Sequence, residues 1–391
     1  MASLSALAFS PETSVNHPGR RWIAGVCVLP FVLAVQIACS PAHGPILIGL
    51  AGPFSDSVGA PMRRAAEMAV REINQAGGVG GRPIQLVIRD DYGDPDSALS
   101  VASELVQSGV VAVIGHVYSG ETLAAAPVYN AAGVLQISPS SSAPSVTQVG
   151  KWTFRVCPSD QQQAAALARF VSDRLQLRQG TILYLNNDYG RGLRRAFDIE
   201  FSRLGGEIDA NGPYLTTEPD VNAYLDRLIT RDHSEFVFLA GNQDEAASIL
   251  RQAHARKLTV PILGGDGLEG LEREGTLGDG TYVSNGYLPD FDSPENHRFV
   301  QAYQKAYPTS KPPTQAAAAT YDILNLLREQ LEQAGTDRRR LRDAVAEVGR
   351  ERPPYRGVTG AIAFDEHGEV PHQRVVIGRI SGGSIHAVEG L

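Results

Sequence analysis

Four short stretches carry side chains suited to holding a small charged molecule. His116-Val117-Tyr118-Ser119-Gly120 follows the apolar run Val110–Gly115 and opens a helical pattern, and Ser138-Pro139-Ser140-Ser141-Ser142-Ala143-Pro144 follows Val134–Ile137. Hydroxyls beside the free N–H groups of a helix start make an uncharged receptor for a carboxylate. Asn186-Asn187-Asp188-Tyr189-Gly190 and Gly264-Gly265-Asp266-Gly267 also stand directly after strand-like runs. An Asp there can meet an ammonium, and Tyr189 offers an aromatic wall. Donors in one half of the chain and an acid in the other suit a zwitterion. The ordinary alternative for the serines is helix capping, which needs no ligand.

Other chemistries find less support. Gly265-Asp266-Gly267-Leu268-Glu269-Gly270 has the spacing of a dinucleotide fingerprint, with Asp290 twenty residues beyond it. Asp266 would put negative charge where pyrophosphate must sit, and the motif falls late in its half rather than at a first βα turn. Asp90-Asp91-Tyr92-Gly93-Asp94-Pro95-Asp96 clusters acids without the alternating spacing and distal Glu of a calcium loop, so capping is expected there. The nine histidines form no His-x-x-x-His pair, and Ser119 lacks the preceding glycine of a nucleophile elbow. Arg338-Arg339-Arg340, bracketed by Asp337 and Asp343, reads as a solvated helix face. No enzyme, metal or cofactor is expected.

The elements that would position these residues alternate. Ile46–Leu50, Ile84–Arg89, Val110–Gly115 and Val134–Ile137 are strand-like, with helical patterns at Gly59–Gln75, Pro95–Ser108 and Gly120–Ala132 between them. Asp94 before Pro95 is an N-cap followed by proline at the first helical position. The pattern restarts after Cys157-Pro158-Ser159-Asp160: helix Asp160–Leu177, strand Thr181–Asn186, helix Gly190–Leu204, strand Phe236–Ala240, helix Asp244–Arg256 and strand Val260–Leu263. Pro294–Tyr307 and Thr314–Gln333 are again helical, and Ala361 onward is β-like. Such alternation implies βαβ units, hence two doubly wound α/β lobes with parallel sheets.

The 391 residues are 43% hydrophobic, with 35 basic and 43 acidic side chains and a net charge of −8. That composition folds, and its acidity disfavours nucleic acid as a partner. Three cysteines without a Cys-x-x-Cys pair exclude a disulfide framework and a thiolate zinc site. Arg20-Arg21, the apolar run Trp22–Ala38 and the small residues after it read as an export signal covering residues 1–39, the alternative being a retained anchor helix. Val35-Gln36-Ile37-Ala38-Cys39 is similar to a bacterial lipobox, with Gln36 where Leu is preferred; it marks Cys39 for lipidation, the one expected membrane attachment.

At these residues the chain resembles the leucine/isoleucine/valine-binding family of ABC-transporter solute-binding proteins, the type I periplasmic-binding fold. The markers are Gly49-Leu50-Ala51-Gly52-Pro53-Phe54-Ser55, Ala66-Glu67-Met68-Ala69 with Glu72-Ile73-Asn74, Asp90-Asp91 with Asp94-Pro95, Ile114-Gly115-His116 with Ser119, and Ile137-Ser138-Pro139. Asn187-Asp188-Tyr189-Gly190-Arg191-Gly192 and Gly264-Gly265-Asp266-Gly267 complete them. The resemblance implies that Ser119, Ser140 and Ser142 hold the ligand's polar groups, Tyr189 packs on its side chain, and Asp266 meets its α-ammonium. Two departures stand out: Gly241-Asn242 replaces the family's second-lobe aromatic, placing Asn242 at the site, and Ser57-Val58-Gly59 replaces another. Both make the side-chain wall more polar or more open.

It also implies three crossings between lobes, near Val156–Asp160, Ser284–Leu288 and Val358–Ala361. Lobe 1 would be residues 45–157 with 288–359, and lobe 2 residues 158–287 with 360–391. The expected function is an exported, monomeric receptor. It would capture a small amino acid or amide between closing lobes for ABC permease subunits, from the periplasm or the outer membrane face. The alternative is a sensor of the same fold that signals to a partner protein.

Overall fold

A computed structural model describes residues 44–215, 218–230 and 233–388. The export signal and Cys39 lie outside the described residues. The first lobe runs β1 (Ile46–Gly52), α1 (Gly59–Gln75), β2 (Ile84–Asp90), α2 (Pro95–Gln107), β3 (Ala112–Ile114), α3 (Ser119–Ala132), β4 (Leu135–Ser138) and β5 (Thr153–Arg155). Its strands form one parallel sheet in the order β2-β1-β3-β4-β5. Alternate residues of β1 serve its two faces. Ile48 and Leu50 pack with Met62, Ala66 and Ile73 of α1, while Ala51 packs with Val101 and Leu105 of α2 and Tyr129 of α3. Helices on both faces explain why these strands are apolar throughout rather than alternating.

The second lobe begins with α4 (Asp160–Arg169), whose last turns loosen to a π-helix over Phe170–Leu175. There follow β6 (Gln179–Leu185), α5 (Asp188–Arg203), β7 (Glu207–Tyr214), α6 (Asn222–Thr230), β8 (Phe236–Ala240), α7 (Gln243–Ala255), β9 (Ile262–Gly264) and β10 (Tyr282–Asn285). The chain then returns to the first lobe with α8 (Pro294–Ala306), α9 (Gln315–Ala334), α10 (Arg338–Ala346) and the hairpin β11 (Tyr355–Gly357) and β12 (Gly360–Ile362). It ends on the second sheet with β13 (Val376–Ser381) and β14 (Ser384–Ala387), giving the order β14-β13-β10-β9-β8-β6-β7. Those last two strands run antiparallel.

The third crossing differs from expectation. Ile362, Phe364 and Val370 belong to the first lobe's core, with Phe364 edge-on against Phe154. The chain therefore returns between Val370 and Val376 rather than at Val358–Ala361. The hairpin β11–β12 keeps that stretch on the first lobe. The segment after the Gly264-Gly265 turn forms two 3-10 turns, Asp266–Leu268 and Leu271–Arg273. Cys157, in the first crossing, is buried and is the free cysteine among the described residues. No helix among those residues is long and apolar enough to cross a membrane.

Candidate functional site

The carboxyl ends of both sheets open onto one cavity of about 820 Å³, within the range of small-molecule sites. Ser119, Ser140, Ser142, Tyr189, Asn242 and Asp266 all line it. On the first lobe, Ser119 opens α3, and the preceding Tyr118 supplies no side-chain cap, so the helix start faces the cavity without its usual blocking group. Ser119 Oγ accepts from the Ala143 N–H at 3.2 Å, tying the helix to the loop after β4. Alternation divides that loop. Ser138 Oγ donates to the His116 carbonyl at 2.7 Å and accepts from Ser141 N–H at 2.9 Å, and Ser141 Oγ lies 2.7 Å from Thr122 Oγ1. Ser138 and Ser141 thus build the turn, which leaves Ser140 and Ser142 facing the cavity.

Arg155 braces this turn from behind. Its guanidinium is 1% exposed, donates to the Ser141 and Ala143 carbonyls at 3.2 and 2.8 Å, and pairs with Glu369. Nearby, Asp160 is fully buried at the start of α4; neither of its carboxylate oxygens, nor Ser142 Oγ, makes a hydrogen bond of good geometry. Burial, reinforced by the charge of Asp266, drives the Asp160 carboxyl far above its ordinary range.

On the second lobe, Asn187 Oδ1 caps α5 by accepting from Gly190 N–H at 2.8 Å, which fixes Tyr189 in the first helical turn. The Tyr189 hydroxyl donates to Asp266 Oδ1 at 3.1 Å and accepts from Gly267 N–H at 2.9 Å. The glycines exist for this contact. A Cβ at position 265 would lie 2.7 Å from the Tyr189 hydroxyl, and one at 267 would lie 2.6 Å from the Gly241 carbonyl and 2.8 Å from Tyr189. The G-x-G spacing accommodates a tyrosine rather than a pyrophosphate. Asp266 is further held by Gln163, whose Oε1 accepts from its N–H at 3.0 Å. Burial lifts its carboxyl to about 6 despite these hydrogen bonds. Asn242 occupies the N-cap of α7, where its own N–H donates to Glu245 Oε2 at 3.0 Å.

Several lining residues carried no sequence signal. Asp56 accepts from Tyr118 Oη at 2.7 Å while capping α1 through Val58 and Gly59 N–H. Glu121, in the first turn of α3, is 5% exposed, and burial lifts its carboxyl to about 7. Gln315 opens α9 far along the chain; its N–H donates to Glu269 Oε1 at 3.0 Å, and its side-chain amide accepts from Gly286 N–H. Burial lifts Glu269 to about 8. Ser57, one of the departures, donates to Gln243 Oε1, and Arg273 Nη1 donates to the Ser57 carbonyl at 3.1 Å, so these polar replacements bridge the two lobes.

The acidic run Asp90–Asp96 serves structure. Asp94 Oδ2 caps α2 by accepting from Ser97 N–H at 2.8 Å, and buried Asp91 lies 2.6 Å from His116 Nδ1. Among the described residues, no group of three or more His, Cys, Asp or Glu side chains is arranged to hold a metal ion.

A family model described as periplasmic binding protein matches residues 45–384. The leucine-, isoleucine-, valine-, threonine- and alanine-binding protein of Pseudomonas aeruginosa is 30% identical over 338 residues, covering 85% of this chain and 88% of that protein. Leu/Ile/Val-binding protein homolog 1 of Brucella suis is 30% identical over 335 residues, 84% of this chain and 88% of its own. Among solved structures, the branched-chain amino acid transporter substrate-binding protein LivJ of Streptococcus pneumoniae, in complex with isoleucine, superposes with a TM-score of 0.80. It is 28% identical and covers 88% of this chain and 99% of its own.

Proposed function

The chain belongs to the periplasmic binding protein family, with the type I, leucine/isoleucine/valine-binding-like fold, and from that premise we propose that it is the extracytoplasmic receptor of an ABC importer, capturing a small amino acid or amide. The observation that carries this reading is the convergence on one cavity of Ser119, Ser140 and Ser142 from one lobe with Asp266 and Tyr189 from the other.

A ligand carboxylate rests on the hydroxyls and the uncapped start of α3, where hydrogen bonds and the helix dipole both favour negative charge. Its ammonium meets Asp266, whose Oδ2 is held beside the Gln315 amide at 3.5 Å while Tyr189 occupies Oδ1. Tyr189 thus positions the acid and walls the cavity, while Asn242 adds an amide to that wall. Because the carboxylate and the ammonium are held by different lobes, the ligand binds better when the lobes approach, and that difference in affinity drives closure. That these relatives bind amino acids supports the ligand class. An export signal ending at Cys39 is consistent with a receptor outside the cytoplasm.

Thermal unfolding in the presence of an amino-acid and amide panel tests the reading. A ligand at one hundred times its Kd stabilises the native state by about 2.7 kcal/mol. Absence of a shift with every member of the panel rejects it.

A further inference from the structure

The cavity holds more carboxyl groups than a zwitterion requires. Asp56, Glu121, Asp244, Glu245, Asp266 and Glu269 line it, and the one basic lining residue among the described residues, Arg191, is already paired with Asp188 at 2.9 Å. A single α-ammonium answers Asp266 alone. A cation placed among these acids would gain charge-assisted hydrogen bonds that a neutral side chain cannot make.

Glu121 locates the second charge. Its side chain is nearly buried, lines the cavity, and accepts from its own N–H but makes no hydrogen bond or ion pair with another side chain among the described residues. It sits in the same helical turn as Ser119, which anchors the opposite end of the ligand. The charges of Asp91, Asp94 and Asp188 all reach it, and those of Glu121, Asp56 and Asp244 all reach Tyr118. Helices α3 and α5 touch across the cleft, bringing Glu121 of the first lobe toward Asp188 of the second. Exposed Asp244 also lines the cavity and continues the acidic wall outward, while exposed Asp188 is balanced by Arg191.

We propose that the solute carries a second positive group on its side chain, that of a basic amino acid, held at Glu121 with Asp244 at the mouth. This rests on the amino-acid reading above and narrows it. Glu121 selects the ligand, and Asp266 and the serines anchor it.

Calorimetric titration with shape-matched pairs separates the two claims. Lysine is compared with norleucine, arginine with citrulline, and lysine with cadaverine, which lacks the carboxylate. The charged member of each amino-acid pair is expected to bind at least about tenfold more tightly, the value of one hydrogen bond to a charged group. That advantage shrinks with added salt. It narrows in Glu121→Gln and, by less, in Asp244→Asn, each checked for a cooperative thermal transition. Norleucine or citrulline binding as tightly as its charged partner overturns this inference and leaves the amino-acid reading standing. Cadaverine binding as well as lysine upholds the second charge and removes the carboxylate anchor. No binding by any amino acid overturns both.

Discussion

Replacing Asp266 by asparagine should move two observables in opposite directions. The asparagine keeps the size and an acceptor facing Tyr189 but removes the charge. In the ligand-free protein, burial raises the Asp266 carboxyl from 3.8 to about 6. Each pKa unit represents about 1.4 kcal/mol, so the ionised acid costs the fold about 3 kcal/mol at neutral pH. Asp266→Asn should therefore stabilise the ligand-free protein, by an amount approaching that figure. The bound ammonium, by contrast, loses a desolvated counter-charge. Truncating one partner of such a pair costs about 2–5 kcal/mol, or roughly 30-fold to several thousand-fold in Kd. Calorimetric titration with an amino acid and thermal unfolding without it give the two numbers. An unchanged Kd together with a lowered melting temperature would show that Asp266 is a structural acid, and the clamp would have to be abandoned.

Three further outcomes follow from other parts of the molecule. Gly267→Ala places a methyl 2.6 Å from the Gly241 carbonyl and 2.8 Å from Tyr189, so it should cost about 1–3 kcal/mol of stability and weaken binding by displacing Tyr189; a wild-type Kd in the variant contradicts the positioning role. Arg155→Met leaves Glu369 without its partner behind the serine turn and should cost about 3–5 kcal/mol in denaturant titration, with part recovered when Glu369→Leu is added. Glu269 at about 8, Glu121 at about 7, Asp266 at about 6 and Asp322 at about 6, a buried acid on α9 that accepts from the Val358 and Thr359 N–H groups, all lie above their unfolded values, so the native state holds the extra protons between about pH 4 and 8. The ligand-free protein should accordingly lose stability as pH rises through that window, and melting temperatures that climb from pH 5 to 8 would refute the assignment.

The central architecture was legible because apolar strand runs and amphipathic helices alternate with caps at their joints, as Asp94-Pro95 before α2 illustrates. The edge strand β7 of the second sheet was not. Strand β7 contains Gly212 and Pro213 and few apolar residues, a pattern tolerable only where one side lacks a partner. The third crossing was misplaced because Ile362, Phe364 and Val370 read as a continuing β segment, and only tertiary packing assigns them to the first core. The six candidate site residues face one cavity because each follows or caps an element at the same end of its sheet. Glu121, Glu269 and Gln315 escaped notice for a different reason. Burial of an acid, or contact between residues 269 and 315, depends on which surfaces meet and leaves no mark in local spacing.

Cys157 gives the first crossing an intrinsic chemical clock. The thiol is about 1% exposed, and burial raises it well above its ordinary value, so native alkylation waits on a rare excursion that both uncovers and deprotonates it. Modification rates at this position would then report how often the crossing opens, with no engineered label. Solute added to the protein should slow the reaction in proportion to how firmly it holds the lobes together.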